Sequence, residues 1–127
     1  MRVMPVRRYR CRHCSSVIVV VPRGVLRGRH FGAAAIALAL FRFGCGARVV
    51  DIRRELGGQG ETASWPTLRR WVRAGGEARL WGCVRASPPD WGPRPIAERI
   101  AMTLVAYAPT AGAALDVRVF EGAAHAA

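Results

Sequence analysis

S-W-P-T-L-R-R-W-V-R-A, residues 64–74, is the stretch on which the rest of the chain turns. At about 100° per residue, Trp65, Leu68, Trp71 and Val72 fall within an arc of roughly 120°, and Arg69, Arg70 and Arg73 gather on the opposite side. The pattern predicts a short helix that presses one face inward and offers arginines outward. Ser64 is placed to act as N-cap, and Pro66 stands near the first helical position, where its missing N–H costs little. Gly75 and Gly76 are expected to end the helix.

Working outward, a chain of 127 residues is one domain's worth, or two very small units. All 20 basic residues are arginine, with no lysine or asparagine, a bias typical of GC-rich coding that discounts part of the arginine signal. The distribution is harder to dismiss. Residues 1–85 hold 17 arginines against four acids, whereas residues 86–127 hold three against four. Such a field attracts polyanions and makes their binding salt-dependent. Nucleic acid is the expected partner, and an anionic membrane surface is the rival.

The apolar run at residues 17–21 is short and follows a Cys pair, so it does not read as a secretory signal. The longest largely apolar stretch, residues 31–43, falls short of the roughly 20 residues a membrane helix needs and reads as a buried core helix. The expected location is therefore cytoplasmic, with the nucleoid. There Cys11, Cys14, Cys45 and Cys83 stay reduced, and metal binding outranks disulfides.

Cys11 and Cys14 stand as C-R-H-C between a basic segment, R-R-Y-R, and a β-branched run, V-I-V-V-V. Two thiolates two residues apart can grip one tetrahedral Zn²⁺, and strand, turn, strand is half of a zinc ribbon. No second C-x-x-C occurs, so the zinc site is incomplete in this chain. Three explanations stay open: the partner pair lies upstream of Met1; ligands come from Cys45, Cys83, His13, His30 or a second copy; or the thiols hold no metal. Cys45, between two glycines, reads as a small buried hydrophobe.

The middle of the chain prepares residues 64–74. Residues 32–43 suit a central helix, and residues 47–56 place Val49, Ile52 and Leu56 on one side of a second, with Asp51 able to pair with Arg48 or Arg54. An apolar helix, an amphipathic helix, a glycine-containing turn and a basic third helix is the order of a trihelical helix-turn-helix unit. The turn, G-G-Q-G-E-T-A-S, is longer than usual. Residues 77–84 are expected to extend the helical unit and pack Leu80, Trp81 and Val84 on it. Four prolines in A-S-P-P-D-W-G-P-R-P mark a linker, residues 96–107 a further helix, and residues 109–127 a weakly ordered tail. The expected fold is mainly α. It comprises an incomplete zinc-ribbon-like β-hairpin over residues 1–22, a helix-turn-helix unit over 23–85, a linker over 86–95, and one further helix with its tail over 96–127.

R-R-Y-R-C-R-H-C, V-P-R-G-V-L, A-A-A-I-A-L-A-L-F and T-L-R-R-W-V-R-A, in that order over residues 2–80, resemble a bacterial zinc-ribbon-like plus helix-turn-helix family. That family is related to the N-terminal DNA-binding region of insertion-sequence transposases. W-G-P-R-P-I-A-E-R and F-E-G-A-A-H extend the likeness. The resemblance implies that Cys11 and Cys14 form the second zinc knuckle and that Thr67, Arg69, Arg70 and Arg73 lie on the helix facing DNA. The first knuckle is missing.

The expected function is a DNA-binding module, transposase-derived or transposase-associated. Arg69, Arg70 and Arg73 would meet bases, Thr67 phosphate or base, and Arg7, Arg8, Arg10 and Arg12 the phosphates. The alternatives are an RNA- or ribosome-associated zinc-ribbon protein and a non-functional mobile-element fragment. A homodimer is compatible with either. Enzymatic activity is not expected: the eight acids are scattered, and no motif flanks a Cys–His pair with His13, His30 or His125. Zinc measured per purified chain separates the metal alternatives. A site built on the knuckle is expected to lose its zinc in Cys11→Ser and Cys14→Ser, whereas reduced thiols without a metal give none in the wild type.

Overall fold

Residues 33–41 carry no charge on any helical face, so a helix formed there has to be covered on nearly all sides. A computed structural model, described over residues 7–10, 12–15, 17–20, 31–56 and 65–127, shows what covers it. The described residues are mainly α, with five helices: α1 (Ala33–Gly44), α2 (Val49–Glu55), α3 (Pro66–Gly76), α4 (Pro93–Val105) and α5 (Leu115–Ala126). Ahead of them β1 (Arg7–Arg10) runs antiparallel to β2 (Val17–Val20), with Arg7 opposite Val20 and Arg10 opposite Val17. The basic arm at 23–29, the turn at 57–64 and the Ser64 cap lie outside the described residues.

α1 makes its most extensive contacts with α4 and then α5, while α3 lies chiefly on α4. Small residues make these approaches close. Ala33, Ala37 and Ala39 on α1, Ala97 and Ala101 on α4, and Ala123 on α5 are all fully buried. A Cβ added to Gly44 would come 2.8 Å from the Glu98 backbone, one on Gly75 would strike the Ile100 side chain, and one on Gly122 would strike the Leu104 carbonyl. Three helices thus meet α4 at a glycine. α3 ends at Gly76, as expected of Gly75 and Gly76, and α1 ends at Gly44; Gly44 and Gly75 also leave space that α4 fills.

Two expectations need correction. α4 begins at Pro93, inside the expected linker, because Pro93 and Pro95 sit in its first turn, where a missing N–H breaks no helical bond. The tail expected to be weakly ordered forms α5, so two helices follow α3 where one was expected. Its alanines and glycine are what allow α5 to approach α1 and α4, burying Val119, Gly122 and Ala123. Residues 77–84 contain no helix, yet Leu80, Trp81 and Val84 are buried as expected. Trp81 joins the segment after α3 to α5, its Nε1–H donating to the Ala123 carbonyl at 3.1 Å. Cys45, expected inside, is exposed: it caps α1, with its backbone N–H directed back to the Phe41 carbonyl.

One hydrophobic cluster takes residues from all five helices and contains no buried polar or charged residue among those described. None of the described helices is long and apolar enough to cross a membrane. Gly122→Ala sets a helix-propensity gain of about 0.5–1 kcal/mol against overpacking of about 1–3 kcal/mol. Because the obstacle is a backbone carbonyl, which cannot change rotamer, we expect a net loss of about 1–2 kcal/mol in urea unfolding. Gly82→Ala, where an added Cβ meets nothing within 4 Å, is expected within about 0.5 kcal/mol of wild type. A chain ending at residue 85 lacks the main partners of α1 and α3 and is expected to lose its cooperative thermal transition.

Candidate nucleic-acid interface

α3 divides its side chains by the helical period. Leu68, Trp71, Val72 and Ala74 are buried, while Arg69, Arg70 and Arg73 are exposed and Thr67 is half-buried at their flank. Trp65, which precedes the helix, remains half-buried. Its ring lies edge-on to Trp71 at 5.2 Å and to Phe31 at 6.1 Å, and Phe31 meets Trp71 at 5.2 Å. Such edge-to-face pairs contribute beyond the area they bury and fix the start of α3 on the body.

Acidic side chains are shared unevenly among the arginines. Arg48 holds Asp51 with its Nε at 2.9 Å, and Arg54 reaches the same carboxylate at 3.8 Å. Arg42 lies between Glu55 at 3.5 Å and Asp116 at 3.7 Å, and Arg79 pairs with Glu77 at 2.6 Å. The hydrogen bond from Arg48, aided by its charge, holds the Asp51 carboxyl below the usual carboxylate range. That exposed pair stays charged at neutral pH and is lost only as the pH falls through the lowered value. Arg69, Arg70 and Arg73 have no acidic partner among the described residues. Among the described residues, no acid offsets their charge.

Beside this face lies an open groove of about 820 Å³. Leu68 and Val72 of α3, Val49 of α2 and Ile96 of α4 give it an apolar floor, and Trp65 and Trp91 stand at its walls. Arg69, Arg73 and Arg94 bring the cations, and no carboxylate lines it among the described residues. Arg94 is tied down: its Nη1 donates to the Phe43 carbonyl at 2.6 Å and the Ala47 carbonyl at 3.1 Å, with the guanidinium 4.3 Å above the Phe43 ring. It satisfies carbonyls at and beyond the C-terminal turn of α1, where a positive charge is favoured.

The other candidate residues are placed as follows. Arg10, Arg12, His13 and Cys14 are exposed. The side chains of Arg7 and Arg8, together with Cys11 and His30, lie outside the described residues. Among the described residues no group of three or more His, Cys, Asp or Glu side chains could hold a metal, so Cys45 and Cys83 are not brought together with Cys14 as ligands. Sequence periodicity did not single out Trp91 or Arg94. Their signal was W-G-P-R-P, whose two prolines fix an arginine in the first turn of a helix. Its carbonyl partners, 47 and 51 residues earlier, could not be read from spacing.

No protein family, curated protein or solved structure matches the chain. Arg94→Met removes the two carbonyl bonds and the cation above Phe43. We expect a loss of about 2 kcal/mol by chemical denaturation, with Arg94→Lys intermediate because an ammonium reproduces the charge but not the planar fork.

Proposed function

We propose that the protein is a DNA-binding module, transposase-derived or transposase-associated, that contacts duplex DNA through the outer face of α3. The observation that carries this reading is the row of Arg69, Arg70 and Arg73, exposed together and without an acidic partner among the described residues, while Arg42, Arg48, Arg54 and Arg79 are paired. In the major groove a guanidinium can donate two hydrogen bonds to guanine O6 and N7, and Thr67 can meet a phosphate. Arg7, Arg8, Arg10 and Arg12 would add phosphate contacts that carry no sequence information. The order α1, α2, α3 supports a helix-turn-helix-like presentation, although α4, which follows the basic helix, supplies its principal backing. Cys11 and Cys14 provide two of the four ligands a structural zinc takes, so binding through α3 is not routed through the metal. The corresponding location is the cytoplasm, at the nucleoid.

Titration of duplex DNA by fluorescence anisotropy at several salt concentrations tests the proposal. The logarithm of the binding constant is expected to fall linearly with the logarithm of salt, and each lost phosphate contact to lower the slope by about one. Arg69→Ala combined with Arg73→Ala is expected to weaken binding and flatten that slope. Affinity indifferent to both salt and the double substitution would sink the proposal, and a preference for structured RNA would favour the ribosome-associated alternative.

A further inference from the structure

The groove beside α3 combines features that duplex contact does not require. Trp91 is 42% exposed, a large apolar surface to leave in water beside a cationic rim. The Trp91 backbone N–H donates to the Pro88 carbonyl at 3.2 Å, and the Arg99 guanidinium stands 6.0 Å from the indole centroid. Arg99 is itself anchored, its Nη1 within 3.2 Å of the Arg85 and Ala86 carbonyls and of Ser87 Oγ. A half-exposed indole that lines a groove offers a surface on which a base can stack. Trp65 stands in the same groove, steadied by its edge-on contacts with Phe31 and Trp71.

We infer that this groove takes an unpaired base of a DNA strand, stacked on Trp91, with the adjoining phosphate held by Arg69 and Arg73. The inference rests on the reading of α3 as a nucleic-acid-binding helix and extends it, since Arg69 and Arg73 belong both to its exposed face and to the groove. Charge selects the ligand class: among the described residues the lining holds three arginines and no acid, which suits a polyanion. The apolar lining and the two indoles suit a flat, uncharged group attached to that anion, and every base offers one. The volume, about 820 Å³, lies in the range of pockets that enclose small ligands and has room for a nucleotide.

The test compares three labelled probes in one buffer: short oligo(dT), an abasic oligomer of the same length that keeps every phosphate, and a duplex. Oligo(dT) is expected to bind about tenfold more tightly than the abasic strand. Trp91→Ala is expected to abolish that difference, and Trp91→Phe to restore most of it. Equal binding of the oligo(dT) and abasic strands would overturn the base site, as would a preference for oligo(dT) that survives Trp91→Ala. In those cases salt-dependent duplex binding that requires Arg69 and Arg73 would leave the function proposed above standing. Absence of binding to all three probes would overturn both.

Discussion

A helix can be approached closely only where its neighbour has no side chain in the way, and α4 is approached in this manner from three directions. Gly44 of α1, Gly75 of α3 and Gly122 of α5 lie against Glu98, Ile100 and Leu104, positions that climb one and a half turns of α4. Each contact fixes one helix relative to the same axis, so α4 sets where α1, α3 and α5 stand. The arginine face of α3 owes its orientation to this arrangement, because the buried side of α3 is the side that α4 accepts.

Residues 64–74 were legible because a single helix with a strong apolar stripe carries its own instructions. Leu68, Trp71 and Val72 are inside and the arginines outside, as the helical period requires. The central position of α1 was legible for the opposite reason: with no polar face, it had to be covered. One of the two helices that cover it was harder to recognise. Alanine and glycine in residues 109–127 look like weak order when judged by composition, and like close packing only once a partner surface exists for Gly122 and Ala123 to meet. Gly75 and Gly76 end α3 as expected, but their closeness to α4 was not legible, since a glycine that ends a helix and one that admits a neighbouring helix have identical local signatures.

The candidate site was half legible for a related reason. Its cations come from one helix and follow from periodicity, whereas its aromatic wall and its anchored arginine come from a proline-rich stretch whose partners lie far away in sequence. Composition could state that the chain is basic but not which arginines remain uncompensated. That distinction comes from ion pairing across elements, such as Arg42 between Glu55 of α2 and Asp116 of α5. The acids are too few to neutralise the surface, and the pairs they form leave the arginines of α3 without an acidic partner among the described residues.

The bond from Arg94 to the end of α1 and the bond from Trp81 to α5 span 51 and 42 residues of chain. A ribosome makes the N-terminal end first, so α3 is complete well before the helix against which it rests. During that interval Leu68, Trp71 and Val72 have no α4 to cover them, and a helix bearing arginines on one side and uncovered indole on the other is adhesive toward nucleic acid and hydrophobic surfaces alike. Closure of these long loops, and not formation of the helices themselves, sets the pace at which the chain leaves that state.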